Sequence, residues 1–74
     1  MFDQIDIHNC TTTEAKVMLD NHLNSLSPLT NETTVIHGYS SKVLQLYVRK
    51  QYHHQKIKRK ILTMNPGETI LILK

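Results

Sequence analysis

The segments Ile5-Asp6-Ile7-His8 and Val35-Ile36-His37-Gly38 decide the fold of this chain. Each is a short apolar run that ends in a histidine and leads into a segment with helical spacing. Two strands that are joined through a helix usually pair in parallel. Their carboxyl ends then meet at one edge of the sheet, where ligands bind in open α/β sheets. This edge would hold four residues of the candidate functional site: Asp6, His8, His37 and Gly38.

Two segments have the spacing of helices. Thr11 and Glu14 have the spacing of a capping box, and an apolar stripe with three- and four-residue steps follows them. A second apolar stripe follows Gly38, and Ser40 or Ser41 can cap the helix that carries it. Its apolar face is predicted to consist of Leu44, Tyr47, Val48 and Tyr52.

The C-terminal third predicts two further strands. Residues 57–64 alternate basic and apolar side chains, and 69–73 are apolar on both faces, as in an inner or covered strand. The turn at 65–68 joins them into an antiparallel hairpin. The predicted order is β-α-β-α-β-β. We therefore expect an α/β two-layer sandwich with a mixed four-stranded sheet and two helices on one face.

Length and composition limit the class of protein. The 74 residues predict one domain over 1–74, and the single cysteine excludes an internal disulfide. The N-terminal stretch lacks the basic and apolar regions of a signal peptide, and no apolar run is long enough to cross a bilayer. We therefore expect a cytoplasmic protein without a membrane partner.

The positive charge is concentrated in one block. The chain has nine Lys and Arg against six Asp and Glu, for a net charge of +3. No acidic residue lies between positions 49 and 60, whereas six cations do: Arg49, Lys50, Lys56, Lys58, Arg59 and Lys60. Such a block can bind a phosphate backbone through counterion release. It can equally be a solvated edge strand whose lysines prevent edge-to-edge pairing.

The ordered motifs resemble the Smr domain, the small MutS-related domain. The resemblance rests on Asp6-Ile7-His8, on Glu14-Ala15 at the start of the first helix, and on His37-Gly38. It covers essentially the whole chain. It implies a sandwich similar to the C-terminal domain of translation initiation factor 3 and a nucleic acid, DNA or RNA, as the partner. It further implies endonuclease activity, with the Asp-x-His and His-Gly segments as the sites of cleavage and substrate contact.

Two turns depart from the pattern of that family. Ser40 stands where the family has the second glycine after the histidine, and the later glycine-rich turn is reduced to Asn65-Pro66-Gly67-Glu68. Glycines let backbone N–H groups approach a phosphate closely, so Gly38, Ser40 and Gly67 are candidate contacts. Glu68 adds a negative charge nearby. The departures leave the fold unaffected and bear on the cleavage chemistry.

The residue types at the predicted edge suggest acid–base chemistry. Asp6 and His8 are two apart on a strand, so they share a face. We expect His8 to act as general acid or base, Asp6 to orient it, and His37 or the Gly38 amide to hold the phosphate. The alternative is that these residues only cap the strand ends. A metal site made of Asp6, His8 and His37 is a weaker alternative, and Mg²⁺ is the cofactor left open.

Two further interpretations concern binding rather than catalysis. Tyr39, next to the candidate phosphate contacts, can stack on an unpaired base or pack over the turn. If helices cover only one face of the sheet, the apolar side chains of the strand at 69–73 on the other face call for a binding partner. The alternative function is thus a catalytically inactive interaction or homodimerisation module.

Overall fold

The structure is a computed structural model that describes residues 3–38 and 42–74. The predicted caps Ser40 and Ser41 lie outside the described residues. Six regular elements and one π-helical segment follow each other in the order β1 Gln4–Asp6, α1 Thr12–Ser25, β2 Glu32–Ile36, α2 Lys42–Leu46, the π-helical segment Tyr47–Gln51, β3 Ile57–Ile61 and β4 Glu68–Leu73.

Helix α1 begins at the predicted capping box. The Thr11 hydroxyl accepts from the backbone N–H of Glu14 at 3.1 Å, and the Glu14 carboxylate accepts from that of Thr11 at 2.9 Å. These bonds satisfy two N–H groups that a helix start otherwise leaves unpaired. The buried side of the helix is Ala15, Leu19 and Leu23, four residues apart, as the stripe predicted.

The second helix changes its winding half-way. The Tyr52 N–H donates to the Tyr47 carbonyl at 2.7 Å, an i→i+5 bond that closes a π turn. Leu44, Val48 and Tyr52 still face the core as predicted, whereas Tyr47 is half-buried. The periodicity did not predict the π turn.

The sheet has the strand order β1-β2-β4-β3. Strand β1 pairs in parallel with β2, and β4 pairs antiparallel with both β2 and β3. The mixed four-stranded sheet, the parallel pair and the final hairpin are confirmed. Strand β4 is an inner strand, in agreement with its apolar side chains on both faces.

The helices cover one face of this sheet. Val35 and Leu71 are fully buried on that face and belong to the core that also contains Leu19 and Val48. The alternate residues Ile36, Ile70 and Ile72 are only half-buried, because they lie on the opposite face. The result is the predicted two-layer sandwich. Of the described helices, none combines the length and apolar character needed to cross a membrane.

Candidate functional site

Asp6 and His8 form a pair at the end of β1. Asp6 Oδ1 accepts from the backbone N–H of His8 at 3.0 Å and lies 2.5 Å from His8 Nδ1. The backbone N–H, and after it the ring, lowers the pKa of Asp6 from its usual value. The ionised carboxylate orients the ring through Nδ1. His8 Nε2 makes no hydrogen bond to the described residues and is available for chemistry.

The local backbone explains the placement of this pair. The fully buried Ile7 lies between the two residues, and its N–H donates to the Ile36 carbonyl at 2.8 Å. Asn9 then adopts a left-handed φ of 66°, and the Cys10 N–H returns to the Ile7 carbonyl at 3.1 Å. Asp6 and His8 are exposed on either side of this anchor.

Gly38 lies against His8, as the parallel pairing predicted. Its φ is +86°, and a Cβ added there would lie 3.4 Å from the His8 Cβ. The N–H groups of His37 and Gly38 both donate to the Gly67 carbonyl, at 2.9 and 3.0 Å. The structure thus brings Asp6, His8, Gly38 and Gly67 to one edge of the sheet, which we call the candidate edge. The Gly38 amide is already bonded there, so its expected role in holding a phosphate is not supported.

His37 is directed away from the candidate edge. Its side chain is 1% exposed, with Nε2 3.0 Å from the Thr69 hydroxyl and Nδ1 3.4 Å from the Gly38 carbonyl. Burial lowers the pKa of His37, and the charge of Arg49 acts in the same direction. The ring joins β2 to β4 in the interior. The expected direct contact of His37 with a phosphate does not fit this position.

The alternative metal site also lacks its ligands. Within residues 3–38 and 42–74, no three or more His, Cys, Asp or Glu side chains are close enough to hold a metal ion together. His37 is bonded to Thr69, and Asp6 Oδ1 is bonded to His8. The donor set at the candidate edge is therefore a carboxylate–imidazole pair and not a three-ligand site.

Arg49 has a role that sequence reasoning missed. Its Nε donates to the Thr69 hydroxyl at 2.9 Å, and its Nη2 to the carbonyls of Glu68 at 2.9 Å and Asn65 at 3.5 Å. Gln45, four residues earlier on the helix, donates to the Pro66 carbonyl at 3.0 Å. The two side chains hold the 65–68 turn, and their i, i+4 spacing was the signal for a shared helix face.

Five of the six cations of the basic block line one open groove. The groove has a volume of about 640 Å³ and lies between the segment 49–55 and strand β3. No Asp or Glu lines it, and its basic side chains are Arg49, Lys50, His53, His54, Lys58, Arg59 and Lys60. We call it the basic groove. It contains five of the nine Lys and Arg residues of the chain.

The cations differ in how available they are. Lys50, Lys58 and Arg59 are exposed and make no hydrogen bond or ion pair to the described residues. Lys60 donates to the Tyr52 carbonyl at 2.5 Å, and burial lowers its pKa. Lys56 lies outside the groove and donates to the Leu23 carbonyl at 2.7 Å, near the end of α1.

The Asp6–His8 pair follows β1, whereas most of the free cations of the basic groove lie on β3. Strands β1 and β3 are the two outer strands of the sheet, so three spacings of about 4.8 Å, roughly 14 Å, separate them. Arg49 connects the two regions, since it lines the groove and binds the turn beside Gly67. The predicted contacts Tyr39 and Ser40 lie outside the described residues.

Comparison with known proteins identifies the fold. No protein-family model matches the chain, and no curated protein matches it. The solved structure of the Smr domain of Thermus thermophilus MutS2 matches with a TM-score of 0.84, over 97% of this chain and 98% of that one. This chain has the Smr-domain fold. The identity is 18%, so the likeness concerns the fold. The resemblance inferred from the motifs is confirmed at the level of the fold.

Proposed function

We propose that this Smr-fold domain binds nucleic acid and cleaves its phosphodiester bonds at the Asp6–His8 pair. The observation that carries the binding is the basic groove, which has five Lys and Arg side chains and no acidic residue in its lining. A surface of one sign attracts a polyanion and releases its counterions. DNA and RNA both satisfy this charge requirement.

The Asp6–His8 pair supports the cleavage. With its carboxylate accepting from Nδ1–H, Asp6 holds His8 in the tautomer whose Nε2 is unprotonated. That nitrogen can take the proton of an attacking hydroxyl and return it to the leaving oxygen. The basic groove would hold the nucleic-acid backbone away from the cleaved bond. These proton transfers use His8 and Asp6, and the assay below tests whether added Mg²⁺ changes the rate of cleavage.

The test is a cleavage assay. Purified protein is incubated with end-labelled structured RNA and branched DNA, with and without Mg²⁺, alongside the variants His8→Ala and Asp6→Asn. Asn21→Ala, an exposed change on α1, is the matched control. We expect wild type and Asn21→Ala to cleave, His8→Ala to be inactive, and Asp6→Asn to lose activity by about 10²-fold or more. Cleavage that His8→Ala retains would reject the assignment of the catalytic pair.

A second candidate function rests on the uncovered face of the sheet. Ile36, Ile70 and Ile72 are half-exposed there, and Ile61 on β3 is exposed. An apolar patch of this kind can bind a partner protein or a second copy of the chain. Sedimentation of the wild type and of Ile70→Thr distinguishes this function. A monomer at high concentration would reject the homodimer, and substrate cleavage by the wild type would reject a catalytically inactive module.

A further inference from the structure

The free cations of the basic groove on β3 lie apart from the Asp6–His8 pair. We propose that the groove is a second binding surface that holds the backbone of a double-stranded segment flanking the bond presented to Asp6 and His8. The inference rests on the proposed function and adds to it the kind of substrate. Arg49 lines the groove and bonds to the Glu68 carbonyl, so one end of the groove lies beside the candidate edge and the free cations lie further away.

The sheet register sets the separation of the two surfaces. Asp6 pairs with Ile36, and Ile36 pairs with Glu68, so Asp6 and Glu68 lie at the same position along the strand direction. Arg59 pairs with Ile72, four residues further along β4. Four residues correspond to about 13 Å along a strand, and three strand spacings to about 14 Å across. Asp6 and Arg59 are therefore about 20 Å apart. This equals the rise of about six base pairs at 3.4 Å each.

Three side chains in the groove are free to bind phosphates. Lys50, Lys58 and Arg59 are exposed and unbonded within the described residues, whereas Arg49 and Lys60 are held by backbone carbonyls. Each phosphate that a cation neutralises adds about 0.9 to the slope of log affinity against log salt. The groove therefore predicts a slope contribution of about three from these side chains.

The lining of the groove favours a duplex over a single strand. Among the described lining residues the one phenol ring is Tyr52, which is 2% exposed and donates its hydroxyl to Asp20 at 2.7 Å, and the one exposed ring is the imidazole of His53. Sites for single strands combine positive charge with exposed aromatic rings on which bases stack. With several cations and a single exposed imidazole, the groove offers no platform on which successive bases could stack, and it contacts mainly the backbone. A duplex offers that backbone with its bases already paired, so binding should not depend on sequence.

Binding is measured by fluorescence anisotropy in the His8→Ala background, which keeps the substrate intact. The probes are a duplex of about 16 base pairs and the single strand of the same length, a span that exceeds the six-base-pair separation. Lys58→Glu is paired with Lys74→Glu, an exposed cation outside the groove with the same charge change. A triple variant replaces Lys50, Lys58 and Arg59 by Glu.

We expect the duplex to bind more tightly than the single strand. Lys58→Glu should lower the salt slope by about one and the triple variant by about three, with no change for Lys74→Glu. Circular dichroism checks that the variants are folded. Unchanged duplex binding by the folded triple variant, or tighter binding of the single strand, would overturn the inference and leave the proposed function standing. Wild type without any salt-dependent binding would reject the proposed function itself.

Cleavage gives an independent readout of the same surface. Substrates carry the cleaved bond next to a duplex flank that increases from about two to about twelve base pairs. Wild-type KM should fall steeply as the flank passes about six base pairs, the length that spans both surfaces. The triple variant should lose this length dependence while kcat on long substrates changes little. A wild-type KM that is independent of flank length would overturn the inference.

Discussion

His37 Nε2 lies 3.0 Å from the Thr69 hydroxyl, so the histidine after β2 belongs to the interior. Thr69 is also the acceptor of Arg49 Nε at 2.9 Å. With Arg49 donating, the threonine hydroxyl proton is directed to His37 Nε2, which makes His37 the neutral Nδ1–H tautomer. This chain of bonds joins β2, β4 and the π-helical segment behind the candidate edge. It fixes the position of Gly38, and through it the surroundings of His8.

Acidification is expected to destabilise the protein through His37. Burial lowers its pKa in the folded state below the 6.5 of an unperturbed histidine. Between the two values the unfolded chain binds more protons, so the free energy of unfolding rises with pH. The stabilisation is complete above about pH 6.5 and is lost as pH falls through this window.

Urea denaturation near neutral pH and at about pH 5.5 measures this effect. His37→Gln is the control, since glutamine can reach Thr69 but has no ring to titrate. Its free energy of unfolding should change less with pH than that of the wild type. The other histidines are common to both proteins and cancel in the comparison. Equal pH dependence in the two proteins would contradict the prediction.

Replacing Arg49 should raise the pKa of His37. The guanidinium charge disfavours protonation of the ring, although burial is the larger cause of the lowered pKa. Arg49→Met removes that charge and keeps most of the side-chain volume. Lys50→Met is the control, because Lys50 is exposed. An NMR titration of the ring protons should show the shift for Arg49→Met only. A His37 titration that moves equally in both variants would count against it.

Lys60 and Lys58 should differ sharply in their effect on stability. The Lys60 ammonium donates to the Tyr52 carbonyl and is half-buried, so Lys60→Glu places a carboxylate against a carbonyl oxygen. We expect the free energy of unfolding to fall by about 2–3 kcal/mol. Lys58→Glu, at an exposed position, should change it by no more than about 0.5 kcal/mol. Urea denaturation of both variants is the measurement, and similar losses would show that Lys60 is not a structural residue.

A methyl group at position 38 should affect both stability and the catalytic pair. Gly38 has a φ of +86°, and an added Cβ would contact the His8 Cβ at 3.4 Å. Gly38→Ala should therefore cost about 1–2 kcal/mol through backbone strain at this φ, and relaxation of that strain should shift the adjacent His8 and reduce cleavage. Asn9→Gly is the control at the same edge, because glycine adopts its φ of 66° without strain. Denaturation and the cleavage assay together check this. Full activity of Gly38→Ala would show that His8 does not depend on this contact.

Much of the fold followed from spacing along the chain. The capping box at Thr11, the buried stripe of α1 and the alternation in β4 each depend on residues a few positions apart. The parallel pairing of β1 with β2 followed from the helix between them. These features predicted that Asp6, His8 and Gly38 would meet, because strand direction determines which ends share an edge. The π turn was not predicted, because an i→i+5 hydrogen bond in place of an i→i+4 bond hardly changes the spacing of the apolar residues.

The roles of individual site residues were decided by tertiary structure. His37 and Thr69 are 32 positions apart, and Arg49 and Thr69 are 20 apart. Such contacts form only because β4 inserts between β2 and β3. The apolar residues of β4 indicated an inner strand, but no local pattern specified which strands flank it. The same insertion leaves β3 as an outer strand and opens the basic groove. By itself the sequence determined which side chains carry charge and at which spacing the apolar residues recur. Only the packed structure decided which of those charges are bonded to backbone carbonyls and which remain free for a ligand.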